Sequence, residues 1–345
     1  MALTIRVVDL FVLSLIIFLV IQEYSQKIDA QVLMLQAPLL IKRKFDKIYQ
    51  FRESLSDTGN FIRESLIGAQ SIYARLPYGM DFPGGPSGRC SNGILMIDFI
   101  AEVMAENKIV DWGTNSSLNV QLDRMSSHSK PPSPLQVALI FVFCLSWLLG
   151  CHENLKNSLF LVGEIGGNDL NFGLFEGKTV EELRIMVPEN IQTIINFVKR
   201  VIGFGATRMV VPGNFPIGCL PIYLTKFMTN NTTAYDEYHC LKILNNLAIF
   251  YNHHLQQAID ELKKDYPNIT LIYGNAYLWL LQNAASLGLD KNLLQKACCG
   301  LVDYNYDASA ILMCGAPGVV ACANPNAHIS WDGIHVSRIV LTTSH

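Results

Sequence analysis

Four short apolar runs, each breaking into a polar loop, constrain this chain more than anything else in its sequence. They are Phe45-Asp-Lys-Ile-Tyr-Gln-Phe51 before Ser54-Leu-Ser-Asp-Thr-Gly-Asn60, Ser158-Leu-Phe-Leu-Val162 before Gly163-Glu-Ile-Gly-Gly-Asn-Asp169, Thr207-Arg-Met-Val-Val211 before Pro212-Gly-Asn-Phe-Pro216, and Ile269-Thr-Leu-Ile-Tyr273 before Gly274-Asn275. Each reads as a buried strand feeding a loop. Helical periodicity fills the gaps: Leu241, Leu244, Ala248, Tyr251, Leu255, Ile259 and Leu262 recur at spacings of three and four. A second helix is expected over 180–201, kinked at Pro188 and stopped by Gly203 and Gly205. Strands alternating with helices of this length imply a parallel sheet covered on both faces, with the working residues on loops after strand C-termini. No repeat or linker divides the chain, so one domain over 45–345 is expected.

With 345 residues, half of them hydrophobic, the chain can bury a large core. A net charge of -3 with scattered Lys and Arg leaves no basic face for nucleic acid. Leu10 to Ile21 is almost wholly apolar and meets a polar stretch at Gln22, which is the shape of a signal peptide within 1–30 and too short to span a bilayer. Asn115, Asn230, Asn231 and Asn268 each begin a glycosylation sequon. Nine cysteines, with Cys298, Cys299, Cys314 and Cys322 grouped near the C-terminus, suit disulfides better than zinc, because adjacent cysteines cannot chelate one ion well. A secreted glycoprotein, extracellular or vacuolar, is expected. Residues 135–150 are apolar and uncharged but short for a membrane span and without an amphipathic stripe, which leaves a buried helix or a translated intron as the readings.

Hydrolysis of an ester needs a nucleophile, a base, a carboxylate to orient that base, and donors for the oxyanion. Ser54 follows the first strand, where a turn lifts its hydroxyl to the sheet edge. Trp331-Asp-Gly-Ile-His335 sets Asp332 and His335 three residues apart, so both point from one turn. Asn168 follows a middle strand with an amide that can donate to a carbonyl oxygen. Each of these alone also describes an ordinary turn or helix cap.

Their order carries more weight, together with Gly88-Arg-Cys-Ser-Asn-Gly93, Val211-Pro-Gly-Asn-Phe-Pro-Ile-Gly-Cys-Leu-Pro221 and Ala297-Cys-Cys-Gly300. Over most of 45–338 the chain resembles the plant GDSL esterase/lipase (SGNH hydrolase) family, most of all the branch holding sinapine esterases and acetylajmalan esterase. The resemblance implies a three-layer α/β/α, flavodoxin-like fold with a central parallel sheet. It implies a Ser54 nucleophile, His335 as base, Asp332 orienting it, and an oxyanion hole of Asn168 and the Ser54 backbone N–H. No metal or organic cofactor is implied, and the partner is a small ester met by a monomer.

Two departures qualify this. The family's Gly-Asp-Ser-Leu reads Arg52-Glu-Ser-Leu55 here, so any hydrogen bond made by the acidic residue should shift. The family's strand and Gly-bearing oxyanion loop after about residue 102 are missing, and Gly113 does not replace that glycine. Loss of the strand is expected to harm the sheet. With the short tail after His335, these features suggest an alternative transcript. They favour, as the alternative to an active esterase, a catalytically impaired relative that at most binds ligand.

Overall fold

Two fully buried strands, β1 (Ile48–Phe51) and β3 (Leu159–Val162), form the middle of the sheet. Side chains on both faces of each are enclosed, as expected of strands in a parallel sheet covered on two sides. Their register runs from Ile48 opposite Leu159 to Phe51 opposite Val162, and the Tyr49 and Phe160 rings stack at 4.9 Å. A computed structural model describes residues 45, 47–51, 53–64, 66–95, 97–98, 110–111, 155–274, 295–300 and 314–337. The expected signal peptide, Arg52, Asn115 and the apolar run 135–150 lie outside those residues.

The sheet is completed by β2 (Val110–Asp111), β4 (Arg208–Pro212) and β5 (Thr270–Gly274), all parallel, in the order β2-β1-β3-β4-β5. That is the flavodoxin-like order, in which the direction of winding reverses between β1 and β3. Ligands in such sheets bind outside the strand ends at this reversal, which is where the loops after Phe51 and Val162 emerge.

The expected loss of a strand is corrected by β2. Val110 and Asp111 pair with Tyr49 and Gln50, so two residues occupy the edge beside β1. The backbone of β1 is therefore paired on both sides.

Helices α1 (Asn60–Glu64) and α2 (Leu66–Ala69) follow the first loop, and α3 (Gly167–Phe175) follows β3. Helix α4 (Val180–Gly203) starts at a capping box: Thr179 Oγ1 accepts the Glu182 N–H and Glu182 accepts the Thr179 N–H. Pro188 lies inside α4 without ending it. The helix stops where the Gly205 N–H bonds to the Ile202 carbonyl and the Ala206 N–H to Val201, a Schellman closure around the left-handed Gly205. Beyond β4 come α5 (Pro221–Lys226) and α6 (Lys242–Asp265). Leu183, Val187, Ile191, Ile194 and Val198 of α4 share one core with Leu244, Leu247, Tyr251, Leu255 and Ile259 of α6 and with the sheet.

A smaller core holds Tyr78, Trp331 and the disulfides Cys298–Cys322 and Cys299–Cys314. A third disulfide joins Cys219 to Cys240. Strands β6 (Cys299–Gly300) and β7 (Val320–Ala321) pair antiparallel across this region. No helix among the described residues is long and apolar enough to cross a membrane.

Candidate active site

The polar loop after β1 folds as a 3-10 turn, Ser54–Ser56, closed by the Asp57 N–H on the Ser54 carbonyl. Asp57 then ends that turn and begins α1: its Oδ1 accepts the Gly59 and Asn60 N–H groups at 2.7 Å each, and Oδ2 accepts the Phe61 N–H at 3.1 Å. Gly59 has φ +112, and a side chain there would collide with the Ser87 carbonyl. This is the physical content of the Ser-Leu-Ser-Asp-Thr-Gly-Asn stretch. As the first N–H of a helical turn, that of Ser54 has no acceptor within the turn and can face a ligand.

At the other end of the chain, Ile329 to Ser337 doubles back on itself. The Trp331 N–H bonds to the His335 carbonyl at 2.7 Å and the Ser337 N–H to the Ile329 carbonyl at 2.7 Å. Asp332 closes the turn through Oδ1, which accepts the Ile334 and His335 N–H groups at 3.0 and 2.8 Å. The segment is anchored to the disulfide core, since the Cys298 and Cys299 N–H groups donate to the Ser330 and Trp331 carbonyls.

These two loops meet. His335 Nδ1 lies 2.7 Å from Asp332 Oδ2, and His335 Nε2 lies 2.9 Å from Ser54 Oγ, across 281 residues of sequence. Asp332 and His335 are buried, while Ser54 keeps partial exposure. Burial alone would raise the Asp332 carboxyl, but the His335 charge and the hydrogen bonds it receives hold it below the usual carboxylate range. Such a chain of contacts can take the hydroxyl proton from Ser54 and hold it on an oriented imidazole. The Tyr73 ring stands edge-on to His335 with centroids 6.0 Å apart.

Asn168 enters through its neighbours. Gly166, left-handed at φ +86, is the N-cap of α3, and the Glu53 carboxylate accepts the Gly166 and Asn168 N–H groups at 2.9 and 2.8 Å. Glu53 immediately precedes Ser54, so the longer acidic side chain lashes the Ser54 turn to the loop carrying Asn168. Burial, opposed by those two N–H bonds and aided by the Asp169 charge, pushes the Glu53 carboxyl up to about 7. Glu164 is raised well above the ordinary range by burial and by the charge of Glu53. Sequence reasoning missed Glu164, Tyr73 and Tyr78, none of which lies at a spacing that marks it.

Residues 53–338 match the family model of GDSL-like lipases/acylhydrolases. The chain belongs to the GDSL lipase/acylhydrolase family. This GDSL protein is 37% identical over 327 residues to acetylajmalan esterase 2 of Rauvolfia serpentina, covering 87% of this chain and 88% of that one. It is 35% identical over 333 residues to a GDSL esterase/lipase of Arabidopsis thaliana, covering 94% and 91%. A GDSL enzyme with these relatives is a hydrolase acting on ester bonds, and the impaired-relative alternative is not favoured.

Of the remaining expectations, Asn230, Asn231 and Asn268 are exposed. His254 on α6 contacts the Phe250 carbonyl within its own helix. Cys298 and Cys322 lie with His328 within 4.8 Å, but the two sulfurs are bonded to each other.

Proposed function

We propose that this GDSL hydrolase cleaves a small plant ester, such as an acetylated alkaloid or a phenolic choline ester, through an acyl-enzyme on Ser54. His335 removes the Ser54 proton as Oγ attacks the carbonyl carbon, and then gives it to the leaving alcohol. Asp332 holds the imidazole tautomer that points Nε2 at Ser54. The Asn168 amide and the Ser54 N–H receive the negative charge on the carbonyl oxygen. Water, activated by the same imidazole, releases the acid and restores Ser54.

The single observation that carries this reading is the unbroken contact from Ser54 Oγ through His335 to Asp332 Oδ2. The named activity of the Rauvolfia relative supports the choice of a small acetyl ester. Three disulfides and three exposed sequons at Asn230, Asn231 and Asn268 support passage of a monomeric glycoprotein through the secretory route behind a signal peptide in 1–30, with one hydrolase domain over 45–345. A serine-reactive phosphonate tests the nucleophile. It should label the wild type and leave Ser54→Ala unlabelled, and equal labelling of the two refutes the assignment.

A further inference from the structure

Tyr78 is a buried hydroxyl aimed at the site that the mechanism above does not use. Its side chain is fully enclosed, and its hydroxyl donates to Asp332 Oδ2 at 2.8 Å across 254 residues of sequence. The ring cannot drift, because it packs edge-on against Trp331 and Tyr73 and lies in the core that holds the two C-terminal disulfides. The loop that carries it is tied down by the Gly79 N–H on the Ser91 carbonyl and the Asp81 N–H on the Asn92 carbonyl.

The consequence for Asp332 is a full set of donors. Oδ1 receives the Ile334 and His335 N–H groups, and Oδ2 receives His335 Nδ1 and the Tyr78 hydroxyl. A carboxylate has about four lone-pair sites, so no position is left for water or for a proton. We propose that Tyr78 is a positioning residue of the hydrolysis: its bond to Oδ2 fixes the rotation of the Asp332 carboxylate toward His335 and limits how strongly that carboxylate stabilises the imidazolium, so that the Nε2 proton can pass to the leaving alcohol. This rests on the reading of Ser54, His335 and Asp332 given above.

The titratable groups around the hydroxyl are Asp332, Tyr73 and Cys90, with His335 on the far side of the carboxylate. Burial first, and the Asp332 charge second, raise the phenol far above its ordinary range, so it keeps its proton to donate at any working pH.

Two substitutions of the hydroxyl, opposite in sign, test this. Tyr78→Phe keeps the ring but removes the donor, and a carboxylate relieved of a donor stabilises the imidazolium more strongly, which makes Nε2 slower to give up its proton. The acid-side midpoint of the kcat/KM profile on an aryl acetate should rise by about half a pH unit, and kcat should fall about tenfold with KM little changed. Site-specific incorporation of 3-fluorotyrosine at position 78 makes a stronger donor of nearly the same size, and should move the midpoint down. Midpoints that stay together in all three proteins overturn the inference, as does a full Tyr78→Phe effect persisting in an Asp332→Asn background. Should Tyr78→Phe fail to fold, the fluorinated protein decides alone, an unmoved midpoint counting against the role. Turnover surviving Ser54→Ala would refute the underlying reading instead, whatever position 78 does.

Discussion

Replacing Glu53 with glutamine makes permanent the neutral state that burial favours, and its effect should depend on pH in a calculable way. In the unfolded chain the carboxyl titrates at the ordinary 4.5, whereas in the folded protein it is held at about 7. The folded state therefore binds more protons between those values, so stability is full below about 4.5 and is lost as pH rises through about 7. At about 1.36 kcal/mol per pH unit the whole effect amounts to about 3 kcal/mol, a ceiling that solvent reaching the partly exposed carboxyl lowers. A side-chain amide at this position would carry no such loss. It would also present an NH2 to one of the two N–H groups that Glu53 now accepts, a cost of about 1–3 kcal/mol that does not change with pH. Urea unfolding of both proteins at pH 4.5, 6 and 8 separates these parts. The wild type should lose about 2–3 kcal/mol relative to Glu53→Gln between the extremes, with Glu164, relieved of its charged neighbour, acting in the same direction. Parallel stability curves would refute the argument that burial raises the Glu53 carboxyl.

Asp332→Asn should preserve the fold but favour the wrong imidazole tautomer, lowering kcat on the order of 10⁴-fold in steady-state assays; a loss below tenfold would argue against its role. Gly166→Ala places a methyl group at φ +86 and on the Tyr251 hydroxyl, which now donates to the Ile165 carbonyl at 2.9 Å. Denaturation should show a loss of more than about 1 kcal/mol, and phosphonate labelling should slow because Asn168 moves with its loop.

The four main strands were legible because buried parallel strands read as apolar runs: Ser158 to Val162 was expected and Leu159–Val162 is found. The long α6 was legible from its periodicity, and the end of α4 from the glycines that stop it. Strand β2 was not, since Val110 and Asp111 are too short to show alternation, and only pairing with β1 makes them a strand. Ser54, Asp332 and His335 could be read from their order along the chain, and the structure brings them into contact. The role of Glu53 could not. A change from Asp to Glu looked like a defect in one dimension, whereas in three its reach spans to Gly166 and Asn168. Tyr78 left no trace either, because no spacing rule connects positions 254 residues apart.

The distance in sequence between Ser54 and His335 also has a consequence in time. At about 5–20 residues per second, roughly 14 to 56 s separate the synthesis of Ser54 from that of His335, 281 residues later. For that interval the nascent chain carries an alcohol no more reactive than any other serine. On the proposed mechanism the chain is thus silent until His335 is made, and its chemistry switches on only when the closing loop, with its stapled cysteines, has reached the sheet.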